Sequence, residues 1–503
     1  MTERWDAVVV GAGHNGLTAA AYLARAGHRV LVLERRDQVG GACTLEEPWP
    51  GYSISPCAYL AGLLHPLVVE ELALERHGYE LIPLDPDDPY ITVPFSDGTA
   101  FTEWIDEERT VEELGPEDGR GYREYTGLTR RIRDALRPDG PDDLWLAEPP
   151  SREQIEARLD GDEVAVATLF EDSHTTTLER FVSDRVVDAL AGQGVIGTFA
   201  SPRDPGTAYV NWHHSSGRLT GIPGAWTYVR GGMGNVSFAL ERAAREAGAE
   251  VRTGVPVAAI RPGEGVELED GTENAAPVMV CNADARRALA MLDGGAPAAF
   301  REQVEAVPMQ SPVLKVNFAL SGLPRFPQAE HATRGTVNAT GGADALDRAC
   351  RTAQAGGVAD ELWCELYFQT VADPSVAPDG RHVMSAFCQY VPYRLAEGTW
   401  DARRDEMADR VEASIERFAP GFRDLVVERE ALAPPDVETK IGLTGGHIFQ
   451  GECLPEHMWD RRLAYRTGAV GVYLCGAATY PGGSVIAVNG RNAALAVDSD
   501  LGV

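Results

Sequence analysis

The sequence predicts an α/β protein: a nucleotide-binding domain assembled discontinuously from both ends of the chain, interrupted by a mixed-sheet and helical substrate domain. Three observations lead there. A glycine turn framed by two apolar runs opens the chain, a second glycine turn leading into an Ala-rich segment lies near its end, and 503 residues exceed what one hydrophobic core organises. On this reading residues 1–70, 221–290 and 430–503 form the nucleotide-binding domain, and residues 71–220 and 291–429 the substrate domain.

The opening element is "DAVVVGAGHNGLTAAAYLARAGHRVLVLERR", Asp6 to Arg36. A buried strand, Ala7 to Val10, runs into Gly11, Gly13 and Gly16, then a helix from Leu17 to Ala26 and a second strand from Arg29 to Leu33 that ends at Glu34. Each part has a physical task. Gly11 permits the tight turn, Gly13 lets backbone approach a pyrophosphate, and Gly16 lets the helix pack on the strand. The helix N-terminus offers unpaired N–H groups to phosphates, and Glu34 accepts hydrogen bonds from ribose hydroxyls. The expectation is a bound dinucleotide in a Rossmann-like domain. Glu34 would repel a 2′-phosphate, and the Gly40–Gly41 pair beyond it and the second glycine turn suit FAD, whose long body needs a distant second contact. A third glycine cluster, Tyr228 to Val251, lacks an acid after the following strand, where Thr253 stands. No nicotinamide site is therefore expected.

The remaining elements follow in order. Pro89 to Trp104 alternates about Ser96-Asp97-Gly98 and reads as a hairpin, and Glu107 to Leu190 is largely helical with a break at Arg137 to Asp143. "YVNWHH", Tyr209 to His214, reads as a strand. Short strands follow from Val255 to Asp284 with a turn at Asp270-Gly271, then strands of a second sheet at Ser311 to Leu320 and Glu361 to Val371. Arg404 to Pro420 is an amphipathic helix stopped by proline, and the tail from Val470 is again strand, glycine turn, helix.

Composition narrows the partners. A net charge of −31 disfavours nucleic acid, anionic lipid and polyanions, leaving a neutral or cationic small-molecule substrate. Eight cysteines with no C-x-x-C pair disfavour a redox dithiol and the usual zinc spacings, so no metal is expected and a reduced, cytoplasmic setting is. "MTERW" leads straight into the first apolar run, leaving no room for a signal peptide. No apolar stretch reaches spanning length; Leu60 to Leu74 is interrupted by His65, Pro66, Glu70 and Glu71, so stable membrane insertion is not expected. Lysine occurs only twice, at Lys315 and Lys440, among 45 basic residues. Where arginine has taken nearly every basic position, a retained lysine suggests a task that needs a compact amine able to lose its proton.

Six ordered blocks carry a resemblance: "VVVGAGHNGLTAAAYLARAGHRVLVLERRDQVGG", "GTFASPRDPGTAYVNWHHSSG", "GAWTYVRGGMGNVSFALERAAREAGAEVRTGVPVAAI", "SPVLKVNFAL", "TGGHIFQGE" and "YRTGAVGVYLCGAATYPGGSVIAVNGRNAA". With these the chain resembles the phytoene-desaturase-like branch of the flavin amine oxidase superfamily, and within it the pyridine nucleotide-disulphide oxidoreductase domain-containing proteins. The resemblance implies FAD contacts at Gly11, Gly13, Gly16, Glu34, Gly40 and Gly41, at Val257 beside the adenine, and at Gly476, Gly482, Gly483, Val485 and Ile486 around the ribityl chain and ring. It departs from the family pattern at Ala477, Tyr480 and Ser484, which weakens a side-chain contact to the ribityl chain and alters the substrate side. The activity implied is removal of two hydrogens from a small to medium neutral or cationic metabolite, hydride going to flavin N5 and electrons to oxygen or a quinone-type acceptor. A redox-neutral, flavin-dependent isomerase and a non-catalytic binding protein of the same fold are the alternatives.

Catalytic candidates rest on the same footing. Lys315 lies at an alternating position of a strand, and amine oxidases of the superfamily use a lysine there. On a strand only one of His213 and His214 can face the flavin, and His213 is the candidate. His447 and Tyr480 are candidates for the active-site wall, and Cys475 reads as core packing.

Overall fold

A five-stranded parallel sheet runs in the order Val472–Leu474, Val278–Cys281, Ala7–Val10, Val30–Leu33, Glu250–Arg252 in the computed structural model, which describes residues 3–292 and 294–502. Its three inner strands are buried at every position, as parallel strands covered on both faces must be. Ala7, Val9, Val30, Val32, Val278 and Val280 point into a core shared with helices His14–Arg25, Gly234–Glu246 and Val488–Leu501. Val8, Val10, Leu31, Leu33, Met279 and Cys281 point the other way, onto the strands Val257–Arg261 and Gly265–Leu268 of a smaller sheet. The helices Ala285–Met291 and Ala298–Ala306 complete that layer.

The second sheet is mixed. Its order is Val426–Leu432, Val313–Leu320, His382–Gln389, Trp363–Tyr367, Thr336–Ala339, Pro89–Pro94, Ala100–Trp104, antiparallel except where Thr336–Ala339 meets Pro89–Pro94. One face, including Leu314, Val316, Phe318, Met384 and Leu366, packs on Trp400, Met407, Val411 and Ile415 of the helix Trp400–Glu416. The opposite face is set by register. Lys315 and Glu365 both stand opposite Phe387 from the strands on either side of it, so the three share one face, which lines a cavity. Ile91 likewise stands opposite both Thr336 and Glu103.

Three sequence expectations need revision. Tyr209 to His214 lies in a helix, Thr207–Ser215, not a strand. The segment is buried on almost every side, so it shows no amphipathic period, and its aromatic and β-branched residues mimic strand composition. The long helix Glu107–Leu136 carries an additional break at Gly115, where φ is 77° and Pro116 follows without an N–H to donate. Two elements also cross the expected domain divisions: Val426–Leu432 pairs as a whole with the mixed sheet, and Ala298–Ala306 packs beneath the parallel one.

Candidate active site

The first turn is built from steric necessity. Gly11 sits at φ 97° and donates to the Leu33 carbonyl at 2.8 Å, joining the ends of the strands Ala7–Val10 and Val30–Leu33. A Cβ at Gly16 would stand 2.2 Å from the Gly11 oxygen, and one at Gly13 would stand 2.6 Å from Asn282 Nδ2. The helix begins at His14, earlier than expected, so Gly16 lies in its first turn. Gly13 caps it without any side chain, leaving first-turn N–H groups free to face a ligand. Glu34 is buried, its Oε2 accepting from Ala12 N–H at 2.8 Å and its Oε1 from Arg36 N–H at 3.0 Å, which fixes the carboxylate while leaving it further acceptor capacity. Gly40 pairs with Gly13 as a short parallel bridge, and Gly41 stands 3.6 Å, measured from its ideal Cβ, from Gly13 Cα. A groove floored by backbone, with uncapped N–H groups at one point and an anchored acid at another, fits an adenine dinucleotide.

The second turn closes the same cleft. Asn489 Nδ2 donates to the carbonyls of Thr479 at 3.0 Å and Gly482 at 3.2 Å, pinning the loop from inside. Ser484 and Ala487 adopt φ of 92° and 67°, a conformation costly for side-chain-bearing residues and held by the surrounding packing. Buried Arg462 donates to the carbonyls of Phe449 and, at 2.8 Å, Ala477, tying "HIFQ" to the turn.

A continuous cavity of about 880 Å³ runs from the first turn, past Ala477, Ser484 and Val485, to the free face of the mixed sheet. Gly11, Gly13, Glu34, Gly40, Gly41, Val257, Val485 and Lys315 all line it. Gly16, Gly476, Gly482, Gly483 and Ile486 stand behind the wall. Gly483 is there because Phe449 crosses it, 2.4 Å from where a Cβ would be. Lys315 is 3% exposed, its Nζ has no hydrogen-bond partner among the described residues, and it lies 4.1 Å from the centre of the Tyr59 ring. Burial lowers its pKa to about 7. Tyr59, Tyr367 and Phe387 surround it, the first two with ring centres 4.2 Å apart.

The other three candidates lie outside the lining. His213 is directed away from the cavity because the segment is helical: its Nε2 donates to the Gly483 carbonyl at 3.2 Å, making it a strut for the second turn. Its neighbour His214 lines the cavity instead, with Nδ1 donating to Val210 O at 2.8 Å and burial lowering its pKa to about 4. Tyr480 is buried with its hydroxyl donating to Leu144 O at 3.1 Å, so it belongs to the core beneath the turn. His447 accepts from Phe449 N–H at 3.3 Å and is likewise packed behind the wall.

Sequence reasoning missed His14, Asn282, Glu103 and Glu365, all of which line the cavity. The one signal for Glu365 was an acid in the middle of the apolar strand "ELWCELYFQTV".

Residues 9–70 match the NAD(P)-binding Rossmann-like domain family. The chain is similar to pyridine nucleotide-disulfide oxidoreductase domain-containing protein 2 of Mus musculus, at 34% identity over 100% of this chain and 94% of that protein. Phytoene desaturase (lycopene-forming) of Pantoea ananas is similar at 25% identity, with 97% of each chain covered. The solved structure of cyclohexylamine oxidase from Brevibacterium oxydans superposes with a TM-score of 0.63 at 18% identity, over 99% of this chain and 100% of that one, a likeness of fold.

Proposed function

This chain belongs to the family of pyridine nucleotide-disulfide oxidoreductase domain-containing proteins, in the phytoene-desaturase-like branch of the flavin amine oxidase superfamily, and from that premise we propose that it is an FAD-dependent oxidoreductase. It removes two hydrogens from a small to medium neutral or cationic metabolite, and electrons pass on to oxygen or a quinone-type acceptor. The observation that carries this reading is the continuous cavity joining the glycine turn to Lys315.

When bound, the flavin supplies a two-electron acceptor. The protein's own groups do the rest. The uncapped helix N-terminus at His14 would hold the diphosphate, and Glu34 would take the ribose hydroxyls. Gly40, Gly41 and Val257 would flank the adenosine, while Ala477, Ser484 and Val485 would border the ring end. Lys315 Nζ, buried and close to neutral, is suited to accept a proton or hold a water. Tyr59, Tyr367, Phe387 and Trp226 keep bulk water from that end.

The purified protein is expected to be yellow and to release FAD on denaturation. An anaerobic screen of amines, alcohols and cyclic metabolites should find compounds that bleach the flavin. Colour returning in air assigns oxygen as acceptor, and colour returning only with a quinone analogue assigns a quinone. A colourless preparation that takes up no FAD on reconstitution overturns the proposal.

A further inference from the structure

Several buried acids among the described residues are paired with cations. Asp143 meets Arg137 at 3.0 Å and His65 at 3.1 Å, and Glu412 meets Arg429. Glu365, like Glu34 and Glu452, has no such partner among those residues. It is 3% exposed and lines the cavity, yet among the described residues the groups acting on it are only Tyr367 and Gln193, neither of them a cation. The Tyr367 hydroxyl donates to Oε2, and Gln193 Nε2 donates to Oε1 at 3.2 Å. Both oxygens are thus held as acceptors, while burial among these neutral partners pushes the carboxyl above the usual carboxylate range, a shift that a bound cation would reverse.

Its natural partner inside the chain is Lys315, on the same sheet face, and the fold keeps them apart. Phe387 stands between them in register, and two strand spacings put their backbones about 9–10 Å from each other. Among the described residues, the cavity therefore holds an amine with no partner and a carboxylate with no counter-charge, in a box of aromatic rings. Glu103 is another acid without an ion pair among those residues on the same lining, its carboxyl accepting from Tyr122 at 2.7 Å. Leaving a carboxylate buried and uncompensated is costly, and a positively charged ligand removes that cost where a neutral one does not. Aromatic faces add their own attraction for an organic cation.

We propose that the substrate of this cavity is an organic cation, an ammonium or quaternary ammonium compound, and that Glu365 is the specificity-determining residue that receives its charge. This rests on the cavity being the substrate site of the oxidoreductase proposed above, and narrows "neutral or cationic" to cationic. Lys315 stays free for the reacting end. A neutral substrate of the same shape is rejected because it leaves Glu365 uncompensated.

The test pairs each cation with an uncharged isostere: choline with 3,3-dimethylbutan-1-ol, and benzylammonium with benzyl alcohol. Binding is measured by titration calorimetry on the protein as purified, with flavin content read from the visible spectrum of the same sample. The expected result is a preference of at least about tenfold for one or both cations over their isosteres. Glu365→Gln should cut that preference to within about twofold while the neutral partners bind as before, and Glu365→Asp, which keeps the charge, should retain part of it. Equal affinity within each pair, absence of binding by either cation, or a preference that survives Glu365→Gln in the folded variant overturns the proposal. Should the Gln variant not fold, the wild-type comparison and the Asp variant still decide. A colourless sample that takes up no FAD on reconstitution yet prefers the cations sinks the flavin reading alone, and a yellow one without the preference sinks the cation subsite alone.

Discussion

Lys315 shows how position alone shifts the proton affinity of a side chain. Its ordinary pKa of 10.5 falls to about 7 because burial disfavours the charged form and no carboxylate among the described residues bonds to it. Two outcomes follow from the sign of that shift. If neutral Lys315 serves the reaction, kcat/KM should rise with pH through about 7, and Lys315→Met should lower the rate of flavin reduction and remove that limb of the profile. The folded state also releases this proton more readily than the unfolded state. Between about 7 and 10.5 the unfolded chain binds the extra proton, so Lys315's contribution to stability improves as pH rises across that window. Denaturant titrations of wild type and Lys315→Met should differ in slope against pH there. His213 and His214 make the complementary point. Adjacent in sequence, one braces the carbonyl of Gly483 and the other faces the cavity, a division that helical geometry produces and strand alternation misassigns.

At the scale of elements, the glycine turn and its helix form one rigid joint. Gly16→Ala drives a Cβ against backbone oxygen at 2.2 Å, which no side-chain rotation relieves. The expected cost is about 1–3 kcal/mol of stability by chemical denaturation, with loss of bound flavin. This part of the site was legible in the sequence because its demands are local: three glycines, a strand on each side and Glu34 at fixed spacing record nearly all of the geometry. Lys315 was legible for a compositional reason, as one of two lysines in the chain. Glu365 and Glu103 were not, because strand neighbours in a seven-stranded sheet are chosen by tertiary packing. Nothing in the spacing of Lys315, Phe387 and Glu365 along the chain says that they stand side by side. Tyr480 and His447 were misplaced for the same reason: a residue next to a turn can point to either side of it, and here the core took both.

Across the whole molecule the charge of −31 works against compactness. Added salt screens like charges more than about 10 Å apart, so the melting temperature should rise as sodium chloride is added from low concentration. A ligand that bridges the parallel and mixed sheets stabilises the native state by mass action, by about 2.7 kcal/mol at a hundredfold excess over Kd. Reconstitution with FAD should therefore raise the melting temperature in proportion to the logarithm of free FAD. The parallel sheet carries one more consequence, and it concerns biosynthesis. Its edge strand Val472–Leu474, the turn that follows and the helix Val488–Leu501 are the last of the described elements to leave the ribosome, yet they pack against the first. Until they emerge, the strand Val278–Cys281 has one unpaired edge and the helix His14–Arg25 lacks its neighbour. Until then the half-domain that they complete stays open, and a ligand in the groove of the first turn can be fully enclosed only after these elements have emerged.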